Sequence, residues 1–324
     1  LDSAMFIHLL RLLTRRAWKK LRTVARWAQH AVRGYLKRKG GDDMAKKSCL
    51  KEVEENTMRG PFTEAEVAER LGNLWVPMPR FVIDQGKPRP IDHGSLYGQN
   101  ATVAVPWRLV LGGIDELGAV AATWLKAVGK DRAVVIRLPD GTKLAGELHE
   151  DWSLEDAMSL RGRLADLESA FKQFAAHPDH AYARVVAVWD PENEKVLYFL
   201  PLALMFGEAG SVFGFNRGSK FLATVVVRCA DLVTTAYFDD YSQLELDKLT
   251  DSADFTFKQI CKKLGFRLSE DPRKDKKCSV KFEPLGVEVD LSRSTEGVVV
   301  IAPKSARVAK VIELAVVALR SGSL

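Results

Sequence analysis

A β-rich segment that ends in two adjacent aspartates is the feature that most constrains how this chain can fold. Residues 232–238 are rich in apolar and β-branched side chains, and Asp239 and Asp240 follow directly. Side chains alternate across a regular strand, so two neighbouring carboxylates cannot both face solvent within one. At a tight turn both are exposed, and their like charges repel unless a divalent cation neutralises them. The segment therefore predicts a turn that is either a cation site or an ordinary surface turn, as we expect of Asp42-Asp43.

A second acidic position, Asp166, favours the cation site. Residues 163–166 have the pattern of a short strand that gives way to a turn or helix. Carboxylates from two adjacent strand ends suit a pair of divalent ions about 3.5–4 Å apart, which activate a hydroxyl group and hold a triphosphate. Asp166, Asp239 and Asp240 are therefore predicted to hold two Mg²⁺ (or Mn²⁺) ions. Such a site serves phosphoryl transfer mainly by positioning and charge neutralisation.

Two segments around these aspartates resemble motifs of retroelement reverse transcriptases. Residues 166–174, Asp-Leu-Glu-Ser-Ala-Phe-Lys-Gln-Phe, are similar to the family's Asp-Leu-x-x-Ala-aromatic-x-Gln motif, and residues 237–240 are similar to its Tyr-x-Asp-Asp motif. The separation of 73 residues between Asp166 and Asp239 is typical of that family. Further segments resemble the rest of the family's pattern, in the family's order. Residues 87–100 resemble a fingers segment, and residues 204–215 resemble the Leu-Pro-x-Gly motif. The late palm with its primer grip is resembled by residues 264–265, 274–277 and 282–291, and the first thumb helix by the final helix.

The resemblance covers about residues 75–324 and implies a template-directed DNA polymerase. Such an enzyme adds dNTPs to a primer 3′-hydroxyl, with an RNA or DNA template-primer as its partner. The implied metal ligands are the three aspartates and the backbone carbonyl of Leu167. The implied dNTP-binding residues are Lys87, Arg89, Phe171, Phe206 and Gly207.

Each of these nucleotide-binding assignments has a chemical basis. Lys87 and Arg89 are two apart, so both can face one side of a strand, and guanidinium and ammonium groups bind phosphate. In the family an aromatic residue at the position of Phe171 lies beneath the sugar and blocks a 2′-hydroxyl, which favours deoxynucleotides. Gly207 permits close approach of the backbone to a nucleotide. Lys274 or Lys276 is a candidate general acid for the departing pyrophosphate.

The sequence departs from the family pattern in two places. Met205 and Val212 stand where the family usually has proline. Residues 101–160 are longer than expected, which predicts an inserted helix at 114–128 and a hairpin at 133–148. Two alternatives stay open: a catalytically inactive, RNA-binding descendant of the same fold, and an RNA-dependent RNA polymerase.

The basic charge of the chain is concentrated at its N-terminus. Residues 1–40 carry 11 Lys and Arg and one acid, whereas the remaining 37 basic and 41 acidic residues give a net charge of −4. Residues 6–38 are predicted to form one amphipathic helix, with basic residues on one face that include Arg15, Lys19, Arg22 and Arg26. This face predicts an arm that contacts phosphates. A membrane-surface or targeting helix and a solvated helix packed on the body are the alternatives.

Irregular alternation of strands and helices, with hairpins, predicts an α+β fold with an antiparallel sheet and helices on one side. The polar residues 44–70 are expected to be helical, with Thr63 and Glu66 as a capping box, and residues 280–291 are expected to form a strand. The resemblance makes this fold a right-hand polymerase with fingers, palm and the start of a thumb. Four divisions are predicted. The basic arm and linker span 1–43, and the fingers with the insertion span 44–160. The palm, which includes a fingers hairpin at 181–200, spans 161–291, and the start of the thumb spans 292–324.

Several classes of protein and site are excluded by simpler features. No apolar stretch approaches the roughly 18 residues of a membrane span, and the first residues are no convincing secretory signal. The four cysteines have no metal-binding spacing and suggest no disulfide framework, which favours a reducing, intracellular compartment, cytoplasmic or nuclear. Neither a G-x-G-x-x-G after a strand nor a G-x-x-x-x-G-K-[ST] pattern occurs.

Overall fold

The computed structural model describes residues 24–39, 43–84, 86, 88–103, 108–271 and 275–321. The chain is a mixed α and β protein in which most paired strands are antiparallel, as predicted. It divides into two compact units, one of Leu1–Leu109 with Ser169–Arg217 and one of Val110–Glu168 with Gly218–Leu324. The functional division into arm, fingers, palm and thumb stays a prediction.

Most of the predicted helices and hairpins are present among the described residues, together with short elements that the sequence did not predict. Among the described residues, the α-helices are α1 (24–38), α2 (Asp43–Glu54), α3 (Glu64–Leu71), α4 (Ile114–Ala127), α5 (Leu154–Met158), α6 (Ala209–Ala230), α7 (Thr250–Leu264) and α8 (Ser305–Ser321). The strands are β1 (Met58–Phe62), β2 (Pro77–Asp84), β3 (Pro88–Asp92), β4 (Ala133–Arg137), β5 (Lys143–Glu147), β6 (Leu160–Asp166), β7 (Val185–Asp190), β8 (Lys195–Pro201), β9 (Val233–Tyr237), β10 (Asp240–Leu246), β11 (Lys281–Phe282), β12 (Val287–Asp290) and β13 (Val300–Pro303).

The first unit is built on a five-stranded sheet in the order β1-β8-β7-β2-β3. The pair β2 and β7 is parallel, and the other neighbours are antiparallel. The α1 helix packs Ala25, Ala28, Val32 and Leu36 into the core of this unit. Strand β1 lies in a polar stretch that we expected to be helical, because its pairing with β8 buries Met58, a non-local contact that local propensity does not report.

The second unit contains the antiparallel sheet β6-β10-β9 and two smaller sheets. On one face of this three-stranded sheet, Leu160 and Leu244 pack with Leu117 of α4. On the other face, the ring of Tyr241 lies 5.9 Å from that of Phe257 in α7. Successive side chains of a strand point to opposite faces, so α4 and α7 cover opposite sides of the sheet. The expectation of helices on one side is wrong for this sheet.

The C-terminal part differs from prediction in one segment. Residues 280–291 were expected to form a single strand, but the turn Pro284-Leu285-Gly286 separates β11 from β12. Leu285 and Gly286 both have positive φ angles, 51° and 80°, which a continuous strand does not allow. The predicted final helix is confirmed as α8, in which none of the residues is buried. Within the described part of the chain, no helix is long and apolar enough to cross a membrane.

Candidate active site

The register of the β6-β10-β9 sheet brings two of the three predicted carboxylates to adjacent positions. Asp166, the last residue of β6, is the Cα partner of Asp240, the first residue of β10. Asp240 also pairs with Tyr237, so Phe238 and Asp239 form a two-residue turn between β9 and β10. The predicted tight turn at the end of the β-rich run is therefore present, with Asp239 inside it and Asp240 at the first position of the next strand. Asp166 is buried, while Asp239 and Asp240 are partly exposed.

The turn that carries Asp239 has a backbone conformation that a bulky residue seldom adopts. Phe238 has φ of 52°, in the left-handed region. Its carbonyl oxygen accepts a hydrogen bond from the Ser219 hydroxyl on α6, and the Tyr241 hydroxyl donates to Ser219 Oγ at 3.0 Å. Burial raises the pKa of Tyr241, so its hydroxyl stays protonated as a donor. These two residues, which sequence analysis missed, hold the strained turn in place.

A chain of polar side chains crosses the three strands behind the carboxylates. Arg163 Nε donates to Gln243 Oε1 at 2.7 Å, and Gln243 Nε2 donates to Thr234 Oγ1 at 3.1 Å. Arg163 also forms an ion pair with Asp254 of α7. A slip of one residue in register would break these bonds and turn every side chain to the other face. The chain therefore helps to fix the register that places Asp166 beside Asp240.

Backbone hydrogen bonds extend the connection between the two strand ends. The Leu167 N–H donates to the carbonyl oxygen of Asp239 at 3.4 Å, and the Ser269 N–H donates to that of Asp166 at 2.8 Å. Leu167 also forms a β-bridge with Leu268. Leu167 is thus held against the Asp239 turn, and the predicted metal contact of its carbonyl group stays a prediction.

Asp166 and Asp240 line a cavity of about 380 Å³ together with basic residues. Lys276, one of the two candidate general acids, lines the same cavity, and so does Lys277. Lys274, the other candidate, lies outside the described residues. The cavity therefore combines carboxylates with lysines, as a site that holds cations and phosphate groups requires.

The donor atoms of this site suit Mg²⁺, which prefers carboxylate oxygens and water. Nevertheless, no group of three or more His, Cys, Asp or Glu side chains is arranged to hold a metal ion within the described residues. The structure therefore assembles the Asp166 and Asp240 pair, with Asp239 next to it in the turn, and the three-carboxylate site stays a prediction.

The predicted nucleotide-binding residues of the first unit form an aromatic cluster and a tight loop. The ring of Phe171 stacks on that of Phe215, with 4.7 Å between the ring centroids. It is nearly perpendicular to the ring of Phe206, with 5.8 Å between the centroids. Phe206 is 50% exposed. Gly207 has φ of 106°, and a Cβ atom there would overlap the carbonyl oxygen of Asp92. Gly207 is thus required by its contact with Asp92, and its approach to a nucleotide stays a prediction.

Three hydrogen bonds that the sequence did not indicate fix this loop. The Asp92 N–H donates to the Phe206 carbonyl oxygen at 3.0 Å. Asn100 Nδ2 donates to the carbonyl oxygen of Gly207 at 3.0 Å, and Asn100 Oδ1 accepts from the Ala209 N–H at 2.9 Å. Asn100 thereby satisfies one of the unpaired N–H groups at the start of α6, as a cap residue does.

A buried group of four charges lies behind the same loop. Arg80 donates to Asp92 at 2.8 and 3.0 Å and to Glu52 at 2.8 and 3.4 Å. Lys172, which follows Phe171, donates to Glu52 at 2.7 Å. Arg80 and Asp92 are 3% and 2% exposed. The two cations and two anions balance, as burial of charge requires.

The remaining predicted residues are at the surface or outside the described residues. Arg89 is exposed on β3, and Arg26 is exposed on α1. The residues outside the described part of the chain are Lys87, Arg15, Lys19 and Arg22.

No protein-family model matches this chain, and no curated protein matches it either.

Proposed function

We propose that this chain is a template-directed DNA polymerase of the reverse transcriptase kind. The observation that carries the proposal is the cross-strand pair of Asp166 and Asp240 with Asp239 in the adjoining turn. Two-metal nucleotidyl transfer needs several carboxylates at one point. The strand register supports this use, because it puts Asp166 and Asp240 at paired positions, directly beside the turn that contains Asp239. The ordered motifs of the sequence support this function over other uses of the same carboxylates.

The three aspartates would hold two Mg²⁺ ions, which when bound lower the pKa of the primer 3′-hydroxyl and neutralise the triphosphate charge. Asp166 and Asp240 supply carboxylate oxygens from neighbouring strand ends, and the hydrogen bond from Ser219 to the Phe238 carbonyl oxygen keeps the Asp239 turn preorganised. Preorganised groups stabilise charge without reorganisation during the reaction. Lys276, in the same cavity, is suited to donate a proton to the pyrophosphate leaving group.

Primer extension tests the proposal directly. The full chain is incubated with a labelled DNA primer on an RNA template, dNTPs, and Mg²⁺ or Mn²⁺. We expect template-complementary extension that a chelator abolishes. RNA binding without extension in either metal would support an inactive RNA-binding descendant instead, and preferential use of rNTPs would support an RNA polymerase.

We expect Phe171→Ala to relax discrimination against rNTPs, because removal of the ring makes room for a 2′-hydroxyl. The readout is the ratio of kcat/KM for a dNTP to that for the matching rNTP, and we expect it to fall at least about tenfold, which corresponds to about 1.4 kcal/mol. An unchanged ratio would contradict the assignment.

Phe174→Ala is the matched control for this substitution. Phe174 also packs on Phe215, edge-on at 5.4 Å, so its loss weakens the same aromatic cluster. It does not stand at the aromatic position of the motif. We therefore expect lower thermal stability in both variants and altered sugar discrimination only in Phe171→Ala.

A further inference from the structure

The α1 helix buries one face and presents a basic one. Its apolar residues Ala25, Ala28 and Val32 are fully buried in the core of the first unit, and Leu36 is nearly so. These side chains would have to leave the core before the helix could insert into a bilayer. The described part of the helix is therefore unsuited to lie in a membrane interface by its apolar face.

A second face of α1 carries a row of basic side chains. Arg26, His30, Arg33 and Lys37 are exposed and are spaced by four, three and four residues, which places them in one stripe along the helix. No acidic residue occurs between residues 24 and 39. Among the described residues, no ion pair joins Arg26, Arg33 or Lys37 to a carboxylate, in contrast to Lys47 and Lys51 of α2, which pair with Asp43 and Glu55.

An exposed aromatic ring adjoins this stripe. Trp27 is 61% exposed. Its ring is nearly perpendicular to that of Tyr97, with 5.5 Å between the ring centroids. A large exposed indole beside basic side chains is the combination that single-stranded nucleic acids bind, since bases stack on the ring and phosphates contact the positive charges. A duplex, whose bases are already stacked, would leave the indole without a partner.

We propose that the surface formed by Arg26, Trp27, His30, Arg33 and Lys37 binds single-stranded nucleic acid. Cations bind the phosphates, and Trp27 stacks on a base. The stripe from residue 26 to residue 37 is about 16 Å long at the rise of an α-helix. Recognition by charge and stacking is tolerant of sequence. This binding does not depend on the carboxylate site or on catalysis.

The salt dependence of RNA binding tests the cation stripe. The triple variant Arg26→Gln/Arg33→Gln/Lys37→Gln is compared with wild type in binding of a labelled oligouridine, without divalent ions or dNTPs. Each phosphate contact on a single strand contributes about 0.7 to the slope of log K against log salt. We expect the slope to become shallower by about 2 in the triple variant.

The matched control is Lys47→Gln/Lys51→Gln/Arg70→Gln, which removes the same charge from exposed positions of the same unit. The ammonium groups of Lys47 and Lys51 are paired with acids, and Arg70 donates to the Glu66 carbonyl oxygen. We expect little change in slope. Equal changes in both triple variants, or RNA binding by neither wild type nor variant, would overturn the proposal.

Substitution of Trp27 tests stacking separately from charge. Trp27→Leu should weaken oligouridine binding by about 5- to 160-fold, the range that loss of one stacked base gives, with the salt slope unchanged. Trp27→Phe should restore most of the affinity. Equal affinity of Trp27→Leu and wild type would overturn the stacking contact.

Two further measurements distinguish other outcomes. If phosphatidylserine vesicles bind through the stripe and oligouridine does not, the surface belongs to a membrane contact and the proposal fails. Primer extension is measured on the same variants: RNA binding through α1 without extension leaves this inference standing while the polymerase proposal falls. Primer extension by wild type, together with equal salt slopes for wild type and the Arg26/Arg33/Lys37 triple variant, would support the polymerase proposal and overturn this inference.

Discussion

Asp239→Asn is expected to reduce primer extension by about 10³-fold or more, with the thermal unfolding midpoint close to that of wild type. Loss of one anionic metal ligand removes several kcal/mol of transition-state stabilisation, and each 1.4 kcal/mol is about tenfold in rate. Asparagine has nearly the same shape as aspartate, so the turn at Phe238 and Asp239 should persist. The measurement is single-nucleotide extension under single-turnover conditions.

Asp43→Asn is the control for this substitution. Asp43 begins α2, belongs to the chain's other Asp-Asp pair, and forms an exposed ion pair with Lys47. It changes the net charge by the same amount, and we expect its extension rate to match wild type. Undiminished extension by Asp239→Asn, or an equal loss in both variants, would show that Asp239 is no metal ligand.

Asp239 is the most informative of the three aspartates to replace. Asp166 and Asp240 are paired in the strand ladder at the end of the sheet, where a change of side chain can also disturb the register. The Asp239 carbonyl oxygen accepts the Leu167 N–H whatever the side chain is. An effect on extension at unchanged stability is therefore easier to assign to the carboxylate itself.

Local patterns in the sequence predicted the elements that carry this site. The β-rich run before Asp239 and the adjacent acids predicted a tight turn, and one joins β9 to β10. Thr63 and Glu66 predicted a capping box, which α3 contains with both hydrogen bonds. Such features depend on residues a few positions apart, so a single sequence contains the information for them.

Contacts between distant residues were not predictable in the same way. Ser219 holds the Phe238 carbonyl from a helix 19 residues earlier, and Asn100 caps α6 from 109 residues away. A serine in a helix or an asparagine in a loop has no distinctive local pattern. The apolar surroundings of Arg80 were a usable signal, because an arginine within a buried strand requires anionic partners.

Those partners of Arg80 are also the origin of an acid-sensitive contribution to stability. Burial by itself would raise the pKa of the Glu52 carboxyl, but Arg80 and Lys172 hold that pKa below its ordinary value. A carboxyl with a depressed pKa in the folded state stabilises the fold above its unfolded-state pKa of about 4.3. That contribution is lost as the pH falls through the folded-state pKa.

Arg80→Met is expected to destabilise the chain by about 3–5 kcal/mol at neutral pH, because removal of one partner leaves buried charge uncompensated. The measurement is denaturant unfolding, with Arg70→Met as the control. Arg70 is exposed on α3, so the same chemical change there should cost little. Equal destabilisation by the two variants would show that the Arg80 ion pairs contribute nothing beyond ordinary packing.

A second substitution distinguishes which carboxylate is left uncompensated. In the Arg80→Met background Glu52 keeps its ion pair with Lys172, whereas Asp92, 2% exposed, loses the guanidinium that binds both of its oxygens. Asp92→Asn should therefore restore part of the lost stability, since it removes the buried negative charge. Glu52→Gln should restore none, because it leaves Lys172 without its partner. Restoration by Glu52→Gln equal to that by Asp92→Asn would mean that Lys172 does not balance Glu52.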